Sequence, residues 1–283
     1  MSTLSEKRVY AEQGDPTPVY VAAEQGLVRA KVSDDAVGEF SLALRCTARD
    51  VALGDDGLLA LATDEATLVG GGAAELQETG FGAAVAVSFA ADRSDGGSGA
   101  LLAADADGRV ARLLLDALNE GKPTAGDWTD LGTVAAVRAI DGSLVAAADG
   151  VYRILDGALD AAGLDDARDV AARGVPLAAT GTGLYELGNG WMVARETAHE
   201  TVARDGQHAH AVDAAGALYR RDGREWVEAA FPSERRPADV AHTADGVVVA
   251  TESGSLLVDV GDGWRSRALG VTGVRAIATP RKA

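Results

Sequence analysis

The pentapeptide ARDVA occurs twice, at residues 48–52 and 167–171, and looser relatives recur as AVAVS (84–88), VRAID (137–141), TVARD (201–205), ADVAH (238–242) and VRAIA (274–278). At the second place of this segment stand Arg49, Arg138, Arg168 and Arg275, alongside Val85 and Val202, and at the third stand Asp50 and Asp169, alongside Ala86, Ala139, Ala203 and Ala276; in ADVAH, Ala238 is aligned with the second-place and Asp239 with the third-place residues. A guanidinium is a planar fork that holds a carboxylate or phosphate through two parallel hydrogen bonds. Four such forks at one depth around an axis would form an anion-binding mouth. The same residues also admit a plainer reading, as ion pairs between neighbouring segments. Successive strand residues point to opposite faces, so an arginine can meet only the aspartate of a neighbour. If the arginines face the following segment, Arg275 meets Asp50 and Arg138 meets Asp169, leaving Arg49, Arg168 and Asp239 over. If they face the preceding one, only Arg275 and Asp239 match. Either choice leaves arginines that need other partners, because a buried unpaired guanidinium is costly. Both readings stay open at this level.

Other chemistry is sparser. His208 and His210 share a strand face in QHAHAV and are of the right type for a metal, but no third ligand is placed near them, so packed or solvated histidines are expected and no metal. His199 and His242 fall in other loops or strand ends. The acidic turns TDEAT (63–67) and ADADG (104–108) lack the ligand spacing of a calcium loop. GGGAAE (70–75) and GTG (181–183) precede no helix, so they are turns and not phosphate loops. No Ser or Cys stands in a nucleophile setting; Cys46 is expected to be a small, inert, buried residue. No cofactor is implied.

The elements that carry these side chains are strands. The recurring segments start 36, 53, 30, 34, 37 and 36 residues apart, and each is followed by three further short apolar runs separated by DG, NG or SG turns, which are hairpin signals. Trp128, Trp191, Trp226 and Trp264 fall at the start of the fourth run, and Tyr152, Tyr185 and Tyr219 in the third. The last segment, VRAIA, has no successors, whereas residues 18–25, 27–33 and 37–44 read as second, third and fourth strands without a first. Joining them makes a seventh unit and closes a ring. The fold expected is therefore an all-β seven-bladed propeller over 18–283, four antiparallel strands per blade, after a polar tail at 1–17. A β-solenoid also repeats, but does not need complementary ends. In the third blade, 89–100 is Gly/Ser-rich and 113–128 is expected to hold a helical turn at 116–121; between the sixth and seventh, FPSERRPAD puts Arg235 and Arg236 on the opposite face from these insertions.

Composition bounds the setting. Net charge is −17, with 43 acidic against 26 basic residues, and only Lys7, Lys31, Lys122 and Lys282 are lysines. Dense carboxylates keep a protein soluble where salt screens repulsion, which fits a high-salt cytoplasm; an acidic protein of a GC-rich mesophile is the alternative. The acidic body argues against nucleic acid as partner. One cysteine excludes an internal disulfide and fits a reducing compartment. No apolar run reaches membrane-spanning length and the N-terminus lacks a signal-peptide core, so a cytoplasmic monomer with no membrane partner is expected.

Through EKRVY (6–10), ARDVA (48–52), VRAIDGSLVAAADGVYR (137–153) and GLYELGNGW (183–191), the chain resembles a haloarchaeal seven-bladed β-propeller family nearly end to end. More loosely, YELGNGW, YRRDGREW and VDVGDGW look like degenerate Asp-box hairpins of sialidase-type propellers, a group with WD-repeat-like architecture. The resemblance implies the fold and no particular activity. Sialidase-type propellers bind a carboxylate with three arginines but hydrolyse with a tyrosine; here Tyr20, Tyr152, Tyr185 and Tyr219 lie on second or third strands, away from the axis. The function expected is a non-enzymatic scaffold that binds a protein partner through one propeller face, with the Arg235/Arg236 loop as a contact. The alternative is a small-anion binding protein or hydrolase acting at Arg49, Asp50, Arg138, Arg168, Asp169, Asp239 and Arg275.

Overall fold

A computed structural model describes residues 16–33, 36–90, 99–232 and 235–280. Its strands form seven four-stranded antiparallel sheets. The first blade takes its inner strand, Ala276–Ala278, from the C-terminal end and pairs it with Thr17–Ala23, Gly26–Ser33 and Ala36–Leu44. The inner strands of blades 2 to 7 are Ala48–Leu53, Ala86–Ala90, Val137–Asp141, Ala167–Ala171, His199–Arg204 and Pro237–His242, each followed by its blade's other three in order. The closed ring expected from the repeat is thus observed. The polar tail expected over 1–17 lies, up to residue 15, outside the described residues, as do 91–98 of the third blade's first insertion. Its second insertion holds the expected helical turn, Asp116–Asn119.

The second strands show why the sequence alternates so little. Leu59–Thr63, Ala100–Ala104 and Val247–Thr251 are buried at every residue, because a sheet inside the ring has a neighbouring blade on each face. Blades converge on the axis, so small Ala and Val dominate the inner strands, and the tryptophans sit at the outer ones. Each tryptophan donates its indole N–H to the preceding blade: Trp128 to the Thr79 carbonyl (2.8 Å), Trp191 to that of Ala162 (2.9 Å), Trp226 to Glu186 (3.1 Å) and Trp264 to the Ala230 carbonyl. The repeat tryptophans are therefore ties between outer strands.

The inner strands depart from a regular ladder at one place. In blade 2, Ala48 pairs with Thr63 and Asp50 with Ala62, so Arg49 is an inserted residue. The same shift falls at Arg138, Arg168, Glu200 and Ala238. Val85 and Arg275 also donate their N–H to Ala104 and Ala22, the partners of Ala86 and Ala276. A bulge of this kind breaks the alternation of faces and re-aims a side chain. It also sets the register of blade 6: the inner strand is His199–Arg204, with Glu200 at the second place and Thr201 at the third. The sequence alignment on TVARD was two residues late, and the segment of blade 7 starts at Pro237, one earlier than ADVAH.

Candidate functional site

The inner strands line a central channel of about 350 Å³ in which all seven second-place and third-place candidates of the sequence analysis meet. The edge of an inner strand that faces the channel has no further strand to pair with, and unpaired backbone N–H groups there need acceptors. Three aspartates supply them. Asp50 accepts the N–H of Val51 (2.8 Å) and of Val87 in the next blade (2.8 Å). Asp169 does the same for Val170 (2.8 Å) and Val202 (2.8 Å), and Asp239 for Val240 (2.7 Å) and Ile277 (2.7 Å). Three carboxylates thereby serve the matching N–H of six of the seven blades. Ser88 and Asp141 extend the device, accepting Gly142 N–H (3.0 Å) and Ala172 N–H (2.7 Å) across the next two joints.

These bonds overturn the pairings expected from alternation. Asp169 does not meet Arg138, nor Asp50 Arg275, nor Asp239 Arg275; each carboxylate is committed to backbone. Burial pushes the Asp50 and Asp239 carboxyls up to about 7 against the two N–H bonds each accepts, with Asp141 and Asp50 respectively adding a like charge. Asp169 is raised by burial first and then by the charge of Asp239.

The arginines lie at the end of the channel where the inner strands begin, and they divide into two groups. Arg138 donates to Asp166 (2.6 Å) and to the Ala167 carbonyl (3.1 Å). Arg168 pairs with Glu200 of the following blade and with Asp166 (3.5 Å), so it is not the leftover cation that the sequence left it to be. Its partner was hidden by the two-residue misalignment of blade 6. Arg138, Asp166, Arg168 and Glu200 thus form one chain of charges over blades 4 to 6, and its cations hold the Asp166 carboxyl below its usual range. Arg49 and Arg275, in the adjacent blades 2 and 1, are exposed and have no acidic partner among the described residues. On either side of them, the matching places of blades 3 and 7 hold Val85, which lines the channel, and Ala238, which packs against the hydrophobic cluster between blades 7 and 1.

Of the loop expected to contact a partner, residues 233 and 234 lie outside the described residues. Arg236 is tied down, by Glu252 (3.0 Å) and the Ala214 carbonyl (3.2 Å), and Arg235 is half-buried.

Toward the far end of the channel lie His208, His210 and His242, whereas His199 begins the inner strand of blade 6. His210 does meet another, but not His208: its Nδ1 lies 2.8 Å from Nε2 of His242 in blade 7, the residue that the sequence placed apart. Burial pushes His210 down to about 3 and His242 to about 4, so the pair is neutral, one ring donating N–H to the other. His208 instead faces Asp205 (3.0 Å). Burial opposes ionisation of Asp205, but the His208 ring and the N–H groups of His208 and Gln207 outweigh it and hold the carboxyl down at about 2. Among the described residues no three His, Cys, Asp or Glu side chains are arranged to hold a metal. Cys46 is half-buried, with burial raising its thiol. No helix among the described residues is long and apolar enough to cross a membrane.

The sequence profile of the HVO_0234-like beta-propeller family matches residues 3–280, and the chain belongs to that family. Comparison with curated proteins finds no match. Among solved structures, the WD40 β-propeller domain of Doa1 is similar over 93% of this chain and 90% of its own, with a TM-score of 0.66 and 12% identity. A chain of the nidogen/laminin complex is similar over 93% and 98%, with a TM-score of 0.57 and 10% identity. YCF48 bound to D1 peptide is similar over 78% and 82%, with a TM-score of 0.55 and 16% identity. Identities this low speak for the fold alone.

Proposed function

We propose that this member of the HVO_0234-like propeller family is a non-enzymatic interaction module of a salt-loaded cytoplasm, and that it docks a protein partner on the channel face where its inner strands begin. The observation that carries the reading is the pair Arg49 and Arg275: two exposed guanidinium groups on adjacent blades, without an acidic partner among the described residues, in a chain of net charge −17. Bulges aim both at the mouth, and re-aimed side chains of this kind serve contacts outside the strand ladder. The acidic, lysine-poor composition and lone cysteine support the compartment. Two of the fold neighbours come from a nidogen/laminin complex and from YCF48 bound to D1 peptide, which supports the reading at the level of the fold.

Partner capture at molar KCl tests the reading. The Arg49→Glu/Arg275→Glu protein is expected to lose specific partners that Arg235→Glu/Arg236→Glu retains, since Arg236 already has an acidic contact. Retention of every partner by the mouth variant would refute it.

The 350 Å³ channel behind the two arginines favours one other reading, a small carboxylate, sugar acid or phosphate bound at the mouth. Thermal-shift measurements with such anions separate the two: stabilisation lost in Arg49→Ala and Arg275→Ala supports the small ligand.

A further inference from the structure

The surroundings of Arg49 and Arg275 restrict what can reach them. In every blade the inner strand starts at the mouth, so the turn between second and third strands returns to the same face. Five of these seven turns carry an exposed carboxylate: Glu24, Glu65, Asp107, Asp149 and Glu252. Of the five, only Glu252 is ion-paired among the described residues, with Arg236. A small basic centre therefore sits inside an acidic rim. A polyanion such as nucleic acid, or a strongly acidic peptide segment, would gain at the centre and be repelled across the rim. A free small anion would gain at the centre and nothing beyond it. A ligand with a single negative charge at its tip and positive charges behind it matches both zones.

On one side of the mouth the cations are already taken. Over blades 4 to 6 the arginines are already engaged by Asp166 and Glu200, which leaves two forks on blades 1 and 2. Two forks suit one carboxylate, which accepts bidentate hydrogen bonds on either side. Beside them Val85 adds an apolar side chain to the lining, and the channel behind has room for a side chain or two.

We propose that the mouth captures the C-terminal carboxylate of a partner polypeptide, held between Arg49 and Arg275, with basic side chains of the partner's last residues lying against the carboxylate-bearing turns. This rests on the reading of the face as a protein-docking surface and names the part of the partner that it takes.

Random heptapeptides displayed on phage with free C-termini test it. The library is selected on the full-length protein and counter-selected on Arg49→Gln/Arg275→Gln, whose exposed substitutions should leave the unfolding midpoint unchanged. Selected peptides are then synthesised as acids and as amides and measured by fluorescence anisotropy. The sequences are expected to carry Lys or Arg near the end, and the acids to bind about tenfold more tightly than the amides. The same acids should lose about tenfold on Arg49→Gln/Arg275→Gln and less than about threefold on Arg138→Gln/Arg168→Gln. No enrichment over the double variant, or equal binding of acid and amide, overturns the proposal. If partner capture still depends on Arg49 and Arg275 in that case, the docking face stands and only the terminal carboxylate falls. If citrate or phosphate alone stabilises the protein through the two arginines, the ligand is a small anion and the proposal is likewise overturned.

Discussion

Blades 2 and 5 begin with the same five residues, ARDVA, and put them to partly different use. The aspartates agree: Asp50 and Asp169 each accept their own following N–H and one from the next blade. The arginines do not. Arg168 has Asp166 two residues before it and Glu200 at the matching place of the following blade. Arg49 has Thr47 and Val85 at those places, and remains exposed without an acidic partner among the described residues. An identical strand is thus frame at its aspartate in both copies, and at the arginine just before it frame in one copy and free surface in the other. The neighbours decide.

The largest expected effects fall on the shared residue. Replacing Asp169 or Asp50 by Ala strands two channel-edge N–H groups, and each unsatisfied donor costs about 1–3 kcal/mol; a loss of about 2–4 kcal/mol is expected for either variant in denaturant unfolding. The two losses should agree within about 1 kcal/mol, because the geometry is the same. A small loss for one and a large one for the other would break the equivalence.

Acidity sharpens the same point. The carboxyls of Asp50 and Asp239 are raised from the ordinary carboxylate range to about 7 in the folded chain, mainly by burial. A raised carboxyl means that the folded state binds more protons, so its contribution is fully present below the unfolded value and lost as pH rises through about 7. The His210–His242 pair acts in the opposite sense: its lowered values favour the folded state above about 6.5 and withdraw that support as pH falls. The pair is common to wild type and an Asp50→Asn variant, so their difference isolates the carboxyl. Wild type should gain on Asp50→Asn by about 1 kcal/mol per pH unit between pH 7 and 5. A flat difference would show that Asp50 stays ionised.

The arginines should separate by a smaller margin. Arg168→Ala breaks a network with a side chain 25% exposed, and is expected to cost about 1 kcal/mol in dilute buffer and less at molar KCl, where surface pairs are screened. Arg49→Ala should change stability by no more than about 0.5 kcal/mol. Equal costs would mean that Arg49 has a structural partner after all.

Much of this architecture was legible in the sequence, because a propeller repeats its chemistry. The spacing of 30–37 residues in all but one interval, the tryptophans at outer strands and the complementary ends pointed to seven blades and their closure. The meeting of the arginines and aspartates around one axis also followed from the repeat. Their partners did not. Pairing rules drawn from strict alternation fail at a bulge, and no local signal marks the residue inserted at Arg49 or Arg168. The backbone role of the aspartates needed the unpaired inner edge of the ring, which exists only once the blades are assembled. Glu200 was missed because HETVA shares only its β-branched and Ala positions with ARDVA, so the more Arg-like TVARD was aligned in its place. His242 was missed for a simpler reason: it reaches His210 from the adjoining blade, 32 residues away.

The central claim is that Arg49 and Arg275 face a partner while Arg138 and Arg168 hold the frame. Partner capture by immobilised protein at molar KCl, compared at equal folded concentration for Arg49→Gln/Arg275→Gln and Arg138→Gln/Arg168→Gln, tests it most directly. Loss of capture in the first variant with retention in the second is the predicted result. Capture that survives in the first, or fails only in the second, would contradict the account.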